Sequence, residues 1–300
     1  MKKQYARILV GLGILGIGGA IVAAMLFMGT HNIAVLNPKG EIAEQQRHLM
    51  LITTLLMLIV VVPVFMLTFW VVWRYRAGNK KATYSPEWDR SRIAEMIWWL
   101  VPLVIIGVLA GITWVSSHRL DPYRPLTSEK SPVTIKVIAL QWKWLFIYPE
   151  QNVASVNFVQ LPKDRPVNFE ITADAPMNSF WIPQLGGQVY AMAGMSTKLH
   201  LMGNEIGNYK GSSANLSGEG FADMKFTARV GTEADFSEWV KEVKRSPAML
   251  NAATYSALAQ PGKEALPTYY ATTDPSLYDS VIMKYMMPKG TMPAMHHEQE

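Results

Sequence analysis

At 300 residues, half of them hydrophobic, the chain is long enough for a membrane anchor and a separate globular domain. Its formal net charge of +5 is modest. The basic residues cluster beside apolar segments instead of along a stripe with interleaved aromatics, which points to membrane orientation and away from nucleic acid. The absence of cysteine excludes disulfides, cysteine zinc sites and a cysteine nucleophile.

In chain order, Ile8 to Met28 is uncharged and follows Lys2, Lys3 and Arg7. Residues 1–29 read as a signal peptide, with a small-residue cleavage site at Val22-Ala23-Ala24, or as an uncleaved transmembrane helix, which the length of the run favours. Residues 30–48 then lie outside the membrane on either reading. Leu49 to Trp73 has no charge and is long enough to span a bilayer at about 1.5 Å per residue. Ile93 to Val115 carries one ionisable residue, Glu95. Residues 49–115 thus read as a transmembrane helical hairpin. Its connecting loop, 74–92, holds Arg74, Arg76, Lys80, Lys81, Arg90 and Arg92 against Glu87 and Asp89, and the positive-inside rule makes it cytoplasmic. Everything after Val115 is then expected outside the inner membrane, in the periplasm of a Gram-negative cell. Trp70, Trp73, Trp98, Trp99 and Trp114 fall near the helix ends, where interfacial anchors belong.

From about Ser131 to Val230 the pattern is short and strand-like. Val133 to Ala139, Val167 to Thr172 and Lys198 to Met202 alternate, and prolines and glycines punctuate the runs. Many short strands with such turns imply a sandwich or barrel for residues 116–230. After Val230 the period becomes helical. Phe236, Trp239, Val240 and Val243 share a face, with Thr232 as cap and Asp235 three residues later. Asp274-Pro275 reads as a cap followed by proline at the first helical position, opening a helix to about Met287. Residues 231–287 therefore form an aromatic-rich helical region, and 288–300 a flexible tail.

Two segments carry a resemblance. Gly207 to Met224 reads GNYKGSSANLSGEGFADM, and Ala175 to Gly186 reads APMNSFWIPQLG. With the two apolar helices before them, they resemble subunit II of the haem–copper respiratory oxidases. In cytochrome c oxidases that subunit holds a binuclear copper centre through two Cys, two His, a Met and a Glu carbonyl. Residue by residue, the first His falls on Asn178, the two Cys on Ser213 and Ser217, the Glu on Asn215 and the second His on Phe221. Only the Met position is kept, as Met224. Thiolates bridge copper because sulfur is soft and ionised near neutral pH; a serine hydroxyl is hard and protonated, and Phe221 has no lone pair. The resemblance is therefore to the copper-less subunit II of the cytochrome bo-type ubiquinol oxidases, from about Leu36 to about Met287. It implies a cupredoxin-like Greek-key β-sandwich after the helical hairpin, an aromatic-rich C-terminal extension packed against the complex, and no cofactor or metal in this chain. The haems, copper and ubiquinol site would belong to subunit I, which with the other subunits and membrane lipid would be the partner; cytochrome c would not be one. The expected complex oxidises ubiquinol, reduces oxygen to water and translocates protons, with this chain as a non-catalytic subunit.

Among single residues, Glu95 stands out. A carboxylate inside the cytoplasmic end of a membrane helix should face protein or water, and in the family a Glu at this position lies at the mouth of a proton pathway of subunit I. The blander reading is an interfacial carboxylate favoured by the helix dipole or paired with Arg92. Gln141-Trp142-Lys143-Trp144 matches the aromatic stretch that receives electrons in cytochrome c oxidases; without copper, Trp142 and Trp144 are expected to pack at the contact with subunit I. His200 is expected to be structural. A serine nucleophile is disfavoured, since no histidine occurs between His118 and His200. Met283, Met286, Met287, Met292, Met295, His296 and His297 suit copper(I) in kind but fix no geometry. They support the competing reading, a freestanding membrane-tethered cupredoxin-like protein for copper handling or partner binding. A cytochrome c oxidase subunit II is rejected because five of the six ligand positions are changed.

Overall fold

The computed structural model describes residues 33–79, 81–83, 87, 89–262 and 266–286. The N-terminal apolar segment and the methionine- and histidine-containing end from Met287 lie outside these residues.

Helix α1 (Glu41–Arg74) begins eight residues before the apolar run that marked it in the sequence. Glu41 and Glu44 in its first turn and Arg74 in its last each complement the helix dipole. Helix α2 (Arg92–Arg119) opens on Ser91, whose Oγ accepts the Ala94 N–H at 3.3 Å. Both are long and apolar enough to cross a membrane. Their apolar side chains stay exposed within the chain, as do Trp70, Trp73, Trp98, Trp99 and Trp114. Such faces need lipid or another protein.

After α2 the chain builds a two-sheet sandwich. One sheet contains β1 (Val133–Leu140), β2 (Lys143–Tyr148), β3 (Val153–Val156), β5 (Val167–Ala173), β8 (Thr197–Leu201) and β11 (Thr268–Tyr270), in the order β11-β3-β2-β1-β5-β8. The other contains β4 (Phe158–Pro162), β6 (Asn178–Trp181), β7 (Val189–Ala191), β9 (Gly207–Ser213) and β10 (Lys225–Gly231), in the order β4-β10-β9-β6-β7. The parallel pairs β1/β5 and β4/β10 force the chain to cross between sheets, which gives the mixed, cupredoxin-like sandwich. Val133, Ile135 and Val137 of β1 point inward at alternate positions, as the sequence period requires. Between the sheets, the Phe180 and Phe226 rings stack with centroids 5.1 Å apart, and Trp144 meets both edge-on at 5.3 and 5.7 Å. Full burial of each such side chain contributes about 1.5–3 kcal/mol. Trp144 has no exposed surface, so its packing lies inside this chain and not at a subunit contact.

Helix α3 (Glu233–Val243) carries the full capping box: Asp235 N–H to Thr232 Oγ1 at 3.1 Å and Thr232 N–H to Asp235 Oδ2 at 2.7 Å. Phe236, Trp239, Val240 and Val243 are its buried face. The Tyr- and Pro-containing stretch that follows forms α4 (Ala252–Leu258) and β11, elements without a periodic signal in sequence. Helix α5 (Leu277–Met286) starts two residues beyond Pro275. Asp274 Oδ1 accepts the Ser276 N–H at 2.8 Å and Asp274 O the Leu277 N–H at 3.1 Å, so Asp274-Pro275 is a turn ahead of the helix. Tyr255, Leu258, Leu277, Tyr278 and Val281 cover Ile138, Leu140, Leu145 and Ile147 on the outer face of the first sheet.

One carboxylate fastens this cover. Asp174, at the end of β5, has a side chain only 3% exposed. It accepts hydrogen bonds from Tyr255 Oη at 2.8 Å, Lys284 Nζ at 2.7 Å and Tyr285 Oη at 2.6 Å. Burial works against its charge, yet the bonds from Lys284, Tyr285 and Tyr255 prevail and hold its pKa below the ordinary carboxylate value. Burial, then the bond to Asp174 and its charge, push the Tyr285 phenol up to about 12.

At the other end, Gly40 joins the first turn of α1 to the sandwich. A Cβ there would lie 2.6 Å from Met202 O and 2.9 Å from Leu185 O, both backbone atoms. Gly40→Ala is therefore expected to cost about 1–3 kcal/mol, read from denaturant unfolding. Asp174→Ala should cost about 1–3 kcal/mol and raise amide hydrogen exchange selectively in residues 277–286. A depressed carboxylate pKa contributes stability above its unfolded value of about 3.9 and loses it as pH falls through the lower folded value. Exchange of α5 should accordingly rise in acid below the ordinary carboxylate range in the parent chain; Asp174→Ala should already show it at neutral pH.

Candidate functional site

The segment Ala175–Asn178 leads into β6, and the segment Ser213–Met224 connects β9 to β10 through a 3-10 turn at Phe221–Asp223. Antiparallel pairing of β6 with β9 sets Phe180 opposite Ser213. That register brings Asn178, Ser213 and Asn215 together at one end of the sandwich. Ser213 Oγ donates to Asn178 Oδ1 at 2.9 Å and also lies 3.2 Å from Asn215 O. Asn178 Nδ2 donates to Pro176 O at 2.7 Å, and Asn215 Nδ2 to Met177 O at 2.9 Å. Asn178 is wholly buried and Ser213 nearly so, so these bonds satisfy groups that water does not reach.

Ser217 is buried further along the same loop. Its carbonyl accepts the Trp142 Nε1–H at 3.1 Å. Trp142 sits in the two-residue hairpin between Leu140 and Lys143, at φ +70°, in the left-handed region that bulky side chains rarely adopt. Its ring lies flush on Gly220, where an added Cβ would fall 2.2 Å from the indole. The glycine and the Ser217 carbonyl thus hold a strained tryptophan against the loop. Met224 is fully buried, with its carbonyl accepting the Ser213 N–H at 3.2 Å, while Phe221 is half-exposed on the 3-10 turn.

The donor set decides what this end can bind. Of the six positions, four are Ser or Asn, whose oxygens and amides are uncharged, one is a phenylalanine, and the sole sulfur is the Met224 thioether. No side chain there is ionisable enough to neutralise a cation, and the Ser213 hydroxyl is already engaged with Asn178. A thiolate-bridged copper pair does not fit these residues. Among the described residues, no group of three or more His, Asp or Glu side chains is arranged to hold a metal ion.

Glu95 lies apart, at the far end of α2. A 28-residue helix at about 1.5 Å per residue separates it from the sandwich side by about 40 Å. It is half-exposed, and its nearest basic group is Arg90, with Nε 3.9 Å from Oε1, in place of the Arg92 suggested by sequence. His200 is buried on β8 and its Nδ1 lies 2.7 Å from Asn168 Oδ1 on β5. Asp174 and its three donors were not apparent in sequence: their positions are separated by 81 to 111 residues, and only the density of tyrosines after Val243 hinted at them.

Residues 244–289 match the family model described as COX Aromatic Rich Motif. That span covers α4, β11, α5 and the contacts to Asp174. Over 277 residues the chain is 50% identical to cytochrome bo(3) ubiquinol oxidase subunit 2 of Pseudomonas aeruginosa, covering 92% of this chain and 84% of the relative. Over 279 residues it is 44% identical to ubiquinol oxidase subunit 2 of Acetobacter aceti, covering 91% and 90%. Among solved structures, the periplasmic domain of subunit II of cytochrome oxidase from Bradyrhizobium japonicum aligns at 23% identity over 39% of this chain and 96% of that one, with a TM-score of 0.36. A chain of a heme–copper terminal oxidase dimer aligns at 13% identity over 47% of this chain and all of that one, with a TM-score of 0.37. Half of the residues shared across nine-tenths of the chain leave one conclusion: this chain belongs to the ubiquinol oxidase subunit 2 family.

Proposed function

We propose that this chain is the subunit of an inner-membrane quinol oxidase that carries no redox group of its own. The observation behind this reading is the composition of one end of the sandwich, where Asn178, Ser213, Asn215, Ser217 and Phe221 fall at the positions that the resemblance assigns to copper ligands, and where Ser213 bonds to Asn178 and the Asn215 amide to Met177 O. Electrons have no station in this domain, so the donor must reach the complex elsewhere. A lipid-soluble quinol does so through the bilayer. Haems and copper then belong to the multi-spanning partner subunit, against which the exposed apolar faces of α1 and α2 pack. The basic residues between these helices, by the positive-inside rule, support a cytoplasmic connection and a periplasmic sandwich.

Glu95 supports a proton-entry role on the cytoplasmic side. It sits in the first turn of α2, where the helix dipole favours its charge, and Arg90 is near enough to pair with it without enclosing it. A half-exposed carboxylate at the edge of an apolar helix can collect protons from bulk water and pass them to an adjoining path.

The purified complex is expected to consume oxygen with ubiquinol as reductant and to show no turnover with reduced cytochrome c; oxygen uptake on cytochrome c, or copper bound stoichiometrically by this subunit, would end the reading. Glu95→Gln should leave assembly and the haem spectrum intact while slowing quinol-driven oxygen uptake and proton uptake several-fold. Parent-like rates of both in that variant would leave Glu95 as an interfacial charge only.

A further inference from the structure

Two adjoining cavities open where the membrane helices meet the sandwich. The first, about 310 Å³, lies among the opening turns of α1, the segment that follows α2 and the strand carrying His200. The second, about 420 Å³, shares Glu41, Gln45, Arg119 and Leu120 with it, passes Glu44, His48 and Ser116, and ends between the two helices at Leu49, Ile52 and Val115. The crevice is therefore polar at the sandwich and apolar toward the membrane-spanning parts of α1 and α2, the profile of a headgroup continuing into a hydrocarbon chain.

The polar part holds both signs of charge. Arg119 and Arg124 line it, and no ion pair to either is seen among the described residues; Glu41 and Asp121 line it as well. His200 adds a specific acceptor. It is 8% exposed, lines the same cavity, and its Nε2 has no hydrogen-bond partner. With Asn168 Oδ1 at 2.7 Å from Nδ1, the ring proton belongs on Nδ1 and Nε2 carries the lone pair. Burial, and then the charge of Lys198, hold the His200 pKa below the ordinary histidine value, which keeps the ring neutral. A buried acceptor without a donor is costly, and the ligand that relieves it must offer an N–H or O–H.

We propose that this crevice binds one glycerophospholipid whose headgroup carries a primary ammonium, with its phosphate on Arg119 and Arg124, its ammonium toward His200, Glu41 and Asp121, and its acyl chains along Leu49, Ile52 and Val115. The inference rests on both helices crossing the bilayer. Phosphate suits the arginines because their guanidinium donors are charged and planar. A primary ammonium donates hydrogen bonds; a quaternary choline has no N–H to give Nε2. An anionic glycerol headgroup would leave Glu41 and Asp121 without a cation.

The test uses the whole complex, equilibrated in mixed micelles of phosphatidylethanolamine and phosphatidylcholine with matched acyl chains, washed, and its retained lipid counted by mass spectrometry. The parent complex should retain phosphatidylethanolamine over phosphatidylcholine by about tenfold, the worth of one charge-assisted hydrogen bond. The double variant Arg119→Gln, Arg124→Gln should lose that excess while still co-purifying with the other subunits, and His200→Phe should erase the preference between the two lipids. Equal retention of both lipids by the parent complex overturns the proposal, and this reading needs no variant to fold. So does an unchanged excess in the assembled double variant, or displacement by soluble glycerophosphoethanolamine at the same concentration as lipid, which would make the apolar half irrelevant.

Discussion

The arrangement of the molecule depends on a short stretch of main chain, Lys39 to Ala43, where α1 leaves the apolar stretch and meets the sandwich. The Lys39 N–H donates to Gln184 O at 2.7 Å, the Asn204 N–H to Lys39 O at 2.9 Å and the Ala43 N–H to Leu185 O at 3.2 Å, around a bridge between Gly40 and Gly203. The last of these pairs a first-turn N–H that a helix start otherwise leaves without a partner, and the other two pair Lys39 just ahead of it. They work only because Gly40 lets the two backbones touch. Since α1 runs unbroken from this contact to Arg74, the sandwich is tied through one continuous helix to the basic connection at the opposite end. A flexible linker would have left the domain's orientation free; this junction fixes it.

An end of a sandwich that buries uncharged polar side chains has to find them hydrogen-bond partners, and most of those between β6 and the Ser213–Met224 loop have one. Ser213 donates to Asn178, and the Asn178 and Asn215 amides donate to nearby carbonyls. Trp142 accepts an unfavourable backbone conformation to lie on Gly220 and donate to Ser217. These bonds, of which Ser213–Asn178 is fully buried, hold the path of the loop. Ser217 Oγ is the exception, buried without a partner.

Much of this was legible in the residues themselves. The apolar runs, the alternation of β1, β5 and β8 and the Thr232 capping box are all local patterns with a direct physical cause. The elements that were not legible depend on distant neighbours. The outer two turns of α1 are too polar to extend an apolar run, and they are helical because they dock on residues 184–204. β11 is three residues long and exists because it pairs with β3. Asp274-Pro275 carried a helix-start signal, but Ser276 bonds back to Asp274 and delays the helix. Trp144 read as a surface contact because its family counterpart lies in an electron path, whereas the sheet register turns it into the core.

The C-terminal extension and the Ser213–Met224 loop are not independent attachments, because both use the segment from Asp174 to Asn178. Asp174 receives Tyr255, Lys284 and Tyr285 from the extension. Within the next three residues, Pro176 O and Met177 O accept the amides of Asn178 and Asn215. One short stretch after β5 therefore carries the tail on one side and the loop on the other. A change that lets the tail lift removes charge-assisted bonds from the first residue of that stretch and loosens the carbonyls that hold the loop. The aromatic cover on the outer sheet face is thereby anchored to the same stretch that holds the Ser213–Met224 loop. The tail and the loop are therefore coupled through the backbone they share.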